Sequence, residues 1–495
     1  MPDITRQNEP NSYRLAAQSD KMEQLSFYKS GKEIPLADNN DIFDVVVLGG
    51  GSGGYAAALR SAQLGKKVAL IEADKVGGTC LHNGCIPTKA LLHAAELADN
   101  ARESHNIGVN AQLHGIDVNK VNEYKSGVIN RLYKGLQGLI SGRGIEVING
   151  YGKLVAQDTV EVEGRRVQGR NIVLATGSYS RTLPGLEIGG RIITSDQALE
   201  LDYVPNSVVI LGGGVIGSEF ASVWKSFGAE VTIVEGLPNL LPNEDIAVSK
   251  AFERAVRKRG IKFNTGVRFA SATQHDNGVQ VTLEDGKTFE ADLLLVAVGR
   301  GPRTADLGYE AAGVTLDRGF VITNDRLHTG VANIYAVGDI VPGLQLAHRG
   351  FQQGIFVAEE IAGLNPAEIV ESNIPRVTYA EPEVGSVGLT EAQAKEKYGA
   401  EEVTAIEYNL GGNGKSQILG TAGFIKLVRV NDGPVVGIHM IGARVGEQIG
   451  EGQLIVSWEA YPEDVAPLIH AHPTQNEALG EAHLALAGKP LHAHA

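Results

Sequence analysis

DVVVLGGGSGGYAAALRSAQLGKKVALIE, Asp44 to Glu72, opens with a β-branched apolar run, enters a G-x-G-x-x-G turn and continues as a helical stretch. It ends in a second apolar run that stops at a carboxylate. That order spells a βαβ unit able to hold a dinucleotide. Gly49 permits the tight turn, Gly51 lets backbone N–H groups approach a pyrophosphate, and Gly54 brings helix and strand together. The helix N-terminus adds partial positive charge for the phosphates. Glu72 lies about 20 residues past the glycines, where a carboxylate accepts hydrogen bonds from ribose hydroxyls.

One such fingerprint is a weak signal, because glycine-rich turns form for other reasons. Here the order returns without a gap at Ser207 to Glu235, SVVILGGGVIGSEFASVWKSFGAEVTIVE, with Gly212, Gly214, Gly217 and Glu235 in the corresponding places. Two copies predict two bound dinucleotides. An acid at position 235, where an arginine would favour a 2′-phosphate, points to NAD rather than NADP at the second unit. NIVLATGS (Asn171 to Ser178) and LLLVAVGR (Leu293 to Arg300) are buried-strand runs able to return to such sheets. NIYAVGD (Asn333 to Asp339) is a third, which taken alone reads as a Gly-Asp turn. From Arg376 the texture changes. Phe424 to Val430 and Val435 to Ile441 flank the turn residues Asn431-Asp432-Gly433-Pro434 as a hairpin, and Val445 to Glu459 is patterned as a helix. The fold class expected is α/β, with two Rossmann-like nucleotide-binding domains and a C-terminal α+β domain.

Composition narrows the function classes. The chain is 43% hydrophobic and 21% charged, an ordinary globular balance for a multidomain protein. A formal charge of -14 opposes attraction to phosphate backbones and anionic lipid, so neither nucleic acid nor membrane is expected as a partner. No apolar run approaches the ~18 to 20 residues of a membrane span. Residues 1–41 carry Asp3, Glu9, Asp20, Glu23 and Glu33 and lack an apolar signal core, which fits neither a secretory signal nor a mitochondrial presequence. A cytoplasmic location is expected. The arm itself reads either as a disordered terminus or as a docking or dimer-wrapping segment.

The only two cysteines, Cys80 and Cys85, fall within GGTCLHNGCIPTK, Gly77 to Lys89. A structural disulfide is disfavoured by a reducing compartment and by the shortness of the loop it would close. A zinc site would want further ligands, and there is no second cysteine pair. Redox chemistry remains. Pro87 suits the first turn of a helix through KALLHAAELADNA, which sets Cys85 at or just before a helix N-terminus, where the macrodipole favours a thiolate. Cys80, nearer the loop, is left to exchange with an outside sulfur. The pair follows directly on the first βαβ unit, so a flavin there and NAD at the second unit would complete a relay from dithiol to nicotinamide.

GGTCLHNGCIPTK, together with the two fingerprints, ATGS, the Gly-Asp pair and HAHPTQNE (His470 to Glu477), resembles the flavoprotein disulfide reductases over about residues 42–489. Within that family the pattern is most similar to the dihydrolipoamide-oxidising branch. The resemblance implies non-covalent FAD bordered by Gly49, Gly51, Gly54, Glu72, Thr79, Lys89, Gly152, Thr176, Gly177, Ser178, Asp339 and Ala347. Glu72 would face the adenosine ribose and Asp339 the ribityl and pyrophosphate region. NAD would lie against Gly212, Gly214, Val215, Gly217, Glu235 and Gly299. Lys89 would sit by the flavin and pair with Glu219, and His472 would be the general base, oriented by Glu477. No metal is implied. The resemblance also implies a homodimer in which His472 reaches the cysteines of the other subunit, and a lipoylated carrier protein as partner.

The domains then expected are an extension over 1–41, FAD-binding parts over 42–187 and 307–371, an NAD-binding domain over 188–306 and an interface domain over 372–495. Among relatives of the fold, Glu235 and Val215 argue against an NADPH-dependent glutathione-type reductase. A count of two cysteines argues against a mercuric reductase. Retention of Cys80, Cys85, His472 and Glu477 together argues against a non-catalytic assembly subunit.

Overall fold

The computed structural model describes residues 42–492, so the expectations for the arm 1–41 lie outside the described residues. In the first sheet β1 (Ile42–Leu48) crosses over through α1 (Ser52–Gln63) to β2 (Val68–Glu72), and the strands pair in parallel from Val45 opposite Val68 to Leu48 opposite Ile71. Then come α2 (Cys85–Glu103), β3 (Glu146–Asn149), which pairs in parallel with β2, and β4 (Arg165–Leu174), the other neighbour of β1. The first half of β4 closes an antiparallel meander with Thr159–Val162 and Gly152–Ala156. Its last residues take the strand Ile334–Ala336 alongside in parallel.

Side-chain alternation along β1 explains why this sheet is covered on both faces. Val45 and Val47 pack toward helices with Ala57, Ala58, Phe356 and Val357, whereas Val46 and Leu48 face Leu154, Ile172, Tyr309 and Val321. Each fully buried Val, Leu, Ile or Phe side chain among these stabilises the fold by roughly 2 kcal/mol. The second sheet repeats the plan with β5 (Ser207–Leu211), α3 (Val215–Phe227), β6 (Glu230–Glu235), the helix α4 (Ile246–Lys258) and β7 (Leu293–Val296). Its strands are all parallel, with β5 between β6 and β7.

The helix α5 (Ala347–Ile361) then lies along α1 so closely that a Cβ at Gly354 would fall 2.2 Å from the Gly53 carbonyl oxygen. The C-terminal part is an antiparallel sheet containing β8 (Glu383–Gly388), β9 (Val403–Asn409), β10 (Phe424–Val430) and β11 (Val435–Gly442), packed under α6 (Val445–Ser457) and α7 (Glu477–Leu486). The expected hairpin is the β10–β11 pair, Phe424 opposite Ile441. Among the described residues no helix is long and apolar enough to cross a membrane.

Two local expectations differ from the structure in extent. NIVLATGS is not one strand: β4 stops at Leu174, the chain turns at Gly177 with φ +74°, and Ser178–Ser180 pairs instead with Arg300–Pro302. The helix expected to Glu459 ends at Ser457, because Glu459 takes a left-handed conformation with φ +52°.

In both βαβ units strand and helix approach at backbone contact. Gly49 and Gly212 hold φ +105° and +104°, and a Cβ on Gly54 or Gly217 would lie 1.8 or 2.0 Å from the carbonyl oxygen of Gly49 or Gly212. Gly54→Ala and Gly217→Ala should therefore each destabilise their own domain by about 3 kcal/mol, the overpacking cost when backbone must move. Thermal unfolding of the two variants checks this, with a lowered midpoint expected for both.

Candidate active site

At each fingerprint the acid that ends the second strand folds back on the turn. Glu72 accepts from the Gly50 N–H at 2.6 Å and the Asp74 N–H at 2.8 Å, and Glu235 accepts from the Gly213 N–H at 2.7 Å and the Leu237 N–H at 2.8 Å. The two carboxylates are thus fixed at the mouths of their turns. No side chain caps α1 or α3, so the first-turn amides are left for an outside acceptor. A Cβ placed on Gly51 or Gly214 would meet nothing within 4 Å, in contrast to the crowding at Gly54 and Gly217. That open cradle, bounded by amides and a fixed carboxylate, fits a dinucleotide pyrophosphate and ribose at both units. Val215 opens α3 beside the second cradle and is 41% exposed, and Gly299 follows β7, its carbonyl accepting from Arg181 N–H at 3.0 Å.

The remaining residues expected around FAD cluster at the carboxyl edge of the first sheet and at the start of α5. Ser178 Oγ donates to Asp339 Oδ2 at 2.5 Å and accepts from Arg300 Nε at 2.7 Å. Thr176 Oγ1 donates to the Arg303 carbonyl at 2.6 Å, and the Gly177 carbonyl accepts from Arg303 N–H at 2.8 Å. Ala347 is the first residue of α5. Gly152 has a packing reason of its own, since a Cβ there would strike Leu48 Cδ1 at 2.4 Å. Arg300 joins this cluster although it lies 122 residues from Ser178; its place at the end of LLLVAVGR was visible in the sequence, its partner was not.

Thr79 and Cys80 lie in the short helix Gly78–His82, and Cys85 is the first residue of α2, whose N-cap Gly84 makes no side-chain cap. Pro87 sits in that first turn, where an N–H would have no helical partner. Both cysteines are free thiols, half-buried side by side. The Cys80 S–H bonds to the Cys85 sulfur, which pulls Cys85 below its ordinary value, against the push of burial and with help from Lys89. The same bond, then burial, pushes Cys80 up. In the reduced pair this favours negative charge on Cys85 over Cys80. Tyr55, in α1, faces this charge; burial first, then the two sulfurs, push its phenol up to about 12. No residue spacing announced Tyr55.

One turn further along α2, Lys89 Nζ donates to both carboxylate oxygens of Glu219 at 2.9 Å. Glu219 belongs to α3 of the second nucleotide domain, and its side chain is only 4% exposed. Burial lowers Lys89, and the Glu219 carboxylate more than reverses this, so the ammonium is held charged. A second tie lies at the other end of the same helices, where Ser226 Oγ and Arg259 both donate to Asp99, at 2.6 and 2.7 Å.

In the C-terminal part, His472 Nδ1 and Glu477 Oε1 are 2.7 Å apart, and Glu477 Oε2 accepts from Thr474 N–H at 2.8 Å. Against the upward push of burial, the Thr474 amide and the His472 ring keep Glu477 below its ordinary value. The pair is seated on a loop held from behind: Glu451 of α6 binds His470 Nε2 at 2.8 Å and also the Asn476 side-chain amide. The sequence showed His470 but not Glu451, which lies 19 residues away. The His472 side chain is 75% exposed, on the same domain as the exposed Trp458 and Ile469. Among the described residues no hydrogen bond joins the His472–Glu477 pair to the cysteines, and no cluster of His, Cys, Asp or Glu is placed to hold a metal ion.

Residues 43–354 match the family described as pyridine nucleotide-disulphide oxidoreductase, and residues 374–483 match its dimerisation domain. A dihydrolipoyl dehydrogenase of Bacillus subtilis is 39% identical over 471 residues, covering 91% of this chain and 99% of its own. The mitochondrial dihydrolipoyl dehydrogenase of Pisum sativum is 36% identical over 95% of this chain and 96% of its own. Among solved structures, LpdA of Mycobacterium tuberculosis superposes with a TM-score of 0.83 at 26% identity, covering 89% of this chain and 99% of its own. The HOCl-induced flavoprotein disulfide reductase RclA of Escherichia coli, as a Cu(II) complex, gives 0.82 at 28% identity, covering 90% and 100%. The chain belongs to the pyridine nucleotide-disulphide oxidoreductase family, as an oxidoreductase of FAD and NAD that carries the family's dimerisation domain.

Proposed function

We propose that this protein oxidises protein-bound dihydrolipoamide to lipoamide while reducing NAD+, with release of one proton. The observation that carries the reading is the cysteine pair at the start of α2, Cys80 in the helix Gly78–His82 and Cys85 at the first turn of α2, with the Lys89 ammonium one turn further on. Relatives at 36 to 39% identity that bear the dihydrolipoyl dehydrogenase name support this substrate over others of the family.

In the reaction the pair starts oxidised. His472 Nε2 takes a proton from one substrate thiol, and Glu477 holds the ring through Nδ1 and stabilises the charge it gains. The resulting substrate thiolate attacks Cys80, the Cys80–Cys85 bond breaks, and Cys85 leaves as a thiolate. The second substrate sulfur then attacks the first, closing lipoamide, and Cys80 departs with a proton. FAD held at the first unit would supply a two-electron acceptor for the reduced pair, with NAD+ at the second unit as the final acceptor and one proton released. Lys89 and the N-terminus of α2 hold negative charge on Cys85, and Glu235 receives the NAD ribose.

The exposed His472 lies on the dimerisation domain, so the base that meets Cys80 comes from a second copy of the chain. The partner is a lipoylated carrier of a 2-oxo acid dehydrogenase complex or a glycine-cleavage system, met in the cytoplasm, where the thiols stay reducible.

Anaerobic stopped-flow with dihydrolipoamide tests the reading. Long-wavelength thiolate-to-flavin absorbance should appear with the wild-type protein, and its absence, or turnover of glutathione disulfide instead, would overturn the assignment. Because the Cys85 value is depressed to about 7, that absorbance should hold at higher pH and fade as pH drops through that region, where the thiolate takes up a proton. Cys85→Ser should keep FAD and lose dithiol oxidation, and His472→Gln should slow it roughly 10²- to 10⁴-fold, as removal of a general base does. Gly214→Ala, which has room for its Cβ, should leave the thermal midpoint nearly unchanged while raising the NAD KM at least about tenfold, and Glu235→Ala should weaken NAD more than FAD.

A further inference from the structure

The Lys89–Glu219 contact leaves one side of the ammonium uncovered by the carboxylate. A lysine on a four-carbon stem can swing, and this side chain keeps 33% exposure. What closes that side comes from the third domain. Tyr379, between the strand Arg376–Thr378 and β8, donates its backbone N–H to Glu219 Oε1 at 3.0 Å, and Lys89 Nζ stands over its ring, 4.7 Å from the centroid. One residue therefore grips both partners of the ion pair, the carboxylate through its main chain and the ammonium through its ring face.

We propose that Tyr379 is a positioning residue for Lys89, and through Lys89 for the negative charge on Cys85. The inference rests on the reading of Cys85 as the flavin-facing thiolate and extends it to a residue of the C-terminal domain. One edge of the ring borders α6, where a Cβ on Gly446 would lie 3.4 Å from Tyr379 Cε1 and 3.0 Å from Val377 Cγ1, while the residue as a whole stays 37% exposed. The Gly446 N–H in turn donates to Glu383 at 2.9 Å. The charged groups facing the ring are Lys89 from α2, Glu219 from α3, Glu383 from β8 and Glu447 from α6. Those facing Cys85 are Cys80 from the helix Gly78–His82, Lys89 from its own helix, Glu219 from α3 and Tyr55 from α1. Burial, followed by the three acids and opposed by Lys89, pushes the Tyr379 phenol up, so it stays neutral and contributes its ring face rather than a charge. An aromatic face attracts a cation through its quadrupole, and a hydroxyl is not needed for that.

A residue that merely fills the domain junction would be replaced equally well by any apolar side chain of similar size. A positioning ring would not. The test reads the pH midpoint of the long-wavelength thiolate-to-flavin absorbance in the holoenzyme reduced anaerobically with dihydrolipoamide. Tyr379→Leu should move the midpoint up by about half a pH unit, the equivalent of one surface cation–π contact. Tyr379→Phe should titrate like the wild type. A trifluorinated phenylalanine placed at 379, which keeps the shape but drains the ring face, should titrate like the leucine variant and decides the matter if the leucine variant fails to retain FAD. Equal midpoints for wild type and the fluorinated variant, or an upward shift in Tyr379→Phe as large as in Tyr379→Leu, would overturn the proposal. Absence of the absorbance in the wild type itself would instead sink the reading of Cys85 on which it rests.

Discussion

Glu219 is a buried carboxylate on which three parts of the chain converge. It belongs to the second nucleotide domain, it binds the ammonium of Lys89 from the cysteine helix, and it accepts the backbone N–H of Tyr379 from the C-terminal domain. A carboxylate with 4% of its side chain exposed is costly to leave without partners, so the bonds that satisfy it also keep the three elements in register. The redox pair inherits its environment from this junction. Cys85 lies one helical turn before Lys89, so whatever holds Lys89 in place also holds a positive charge near the sulfur.

The two sulfurs are chemically unequal for reasons that need no symmetry breaking by substrate. Cys85 begins a 19-residue helix with no side chain competing for its first-turn amides, whereas Cys80 lies within a five-residue helix, where burial and its bond to Cys85 push its thiol up. A thiolate that is stable is a good leaving group, so in the oxidised pair an incoming thiolate attacks the Cys80 sulfur and displaces Cys85. The fold thus separates the exchange role from the charge-holding role within a span of six residues.

Much of this was legible in the sequence because the signals are local. The βαβ repeats could be read from β-branched runs, glycine spacing and terminal acids, and the hairpin from its Asn-Asp-Gly-Pro turn. The start of α2 could be read from Pro87, and it fell at Cys85. The places where the reading lost resolution are those governed by distant partners. β4 ends before the expected ATGS stretch because Gly177 redirects the chain to pair with Arg300–Pro302. Lys89 meets Glu219 across 130 residues and Glu219 meets Tyr379 across 160, separations over which spacing carries no information. The first of these pairs was expected only from the family resemblance, and the second was not expected at all. Glu451 behind the His470–Glu477 loop is a further case, an ordinary acid on a helix until the tertiary fold turns it toward His470.

Electron flow from dithiol to nicotinamide depends on the placement of one sulfur against one ring. A crystal structure of the purified dimer with FAD bound measures that directly. The Cys85 sulfur should lie in van der Waals contact with the isoalloxazine, Lys89 should remain on Glu219 at the same edge, and the His472 of the opposite copy should face Cys80. A flavin seated away from both sulfurs, or an active-site cleft in which His472 of neither copy can reach Cys80, would contradict it.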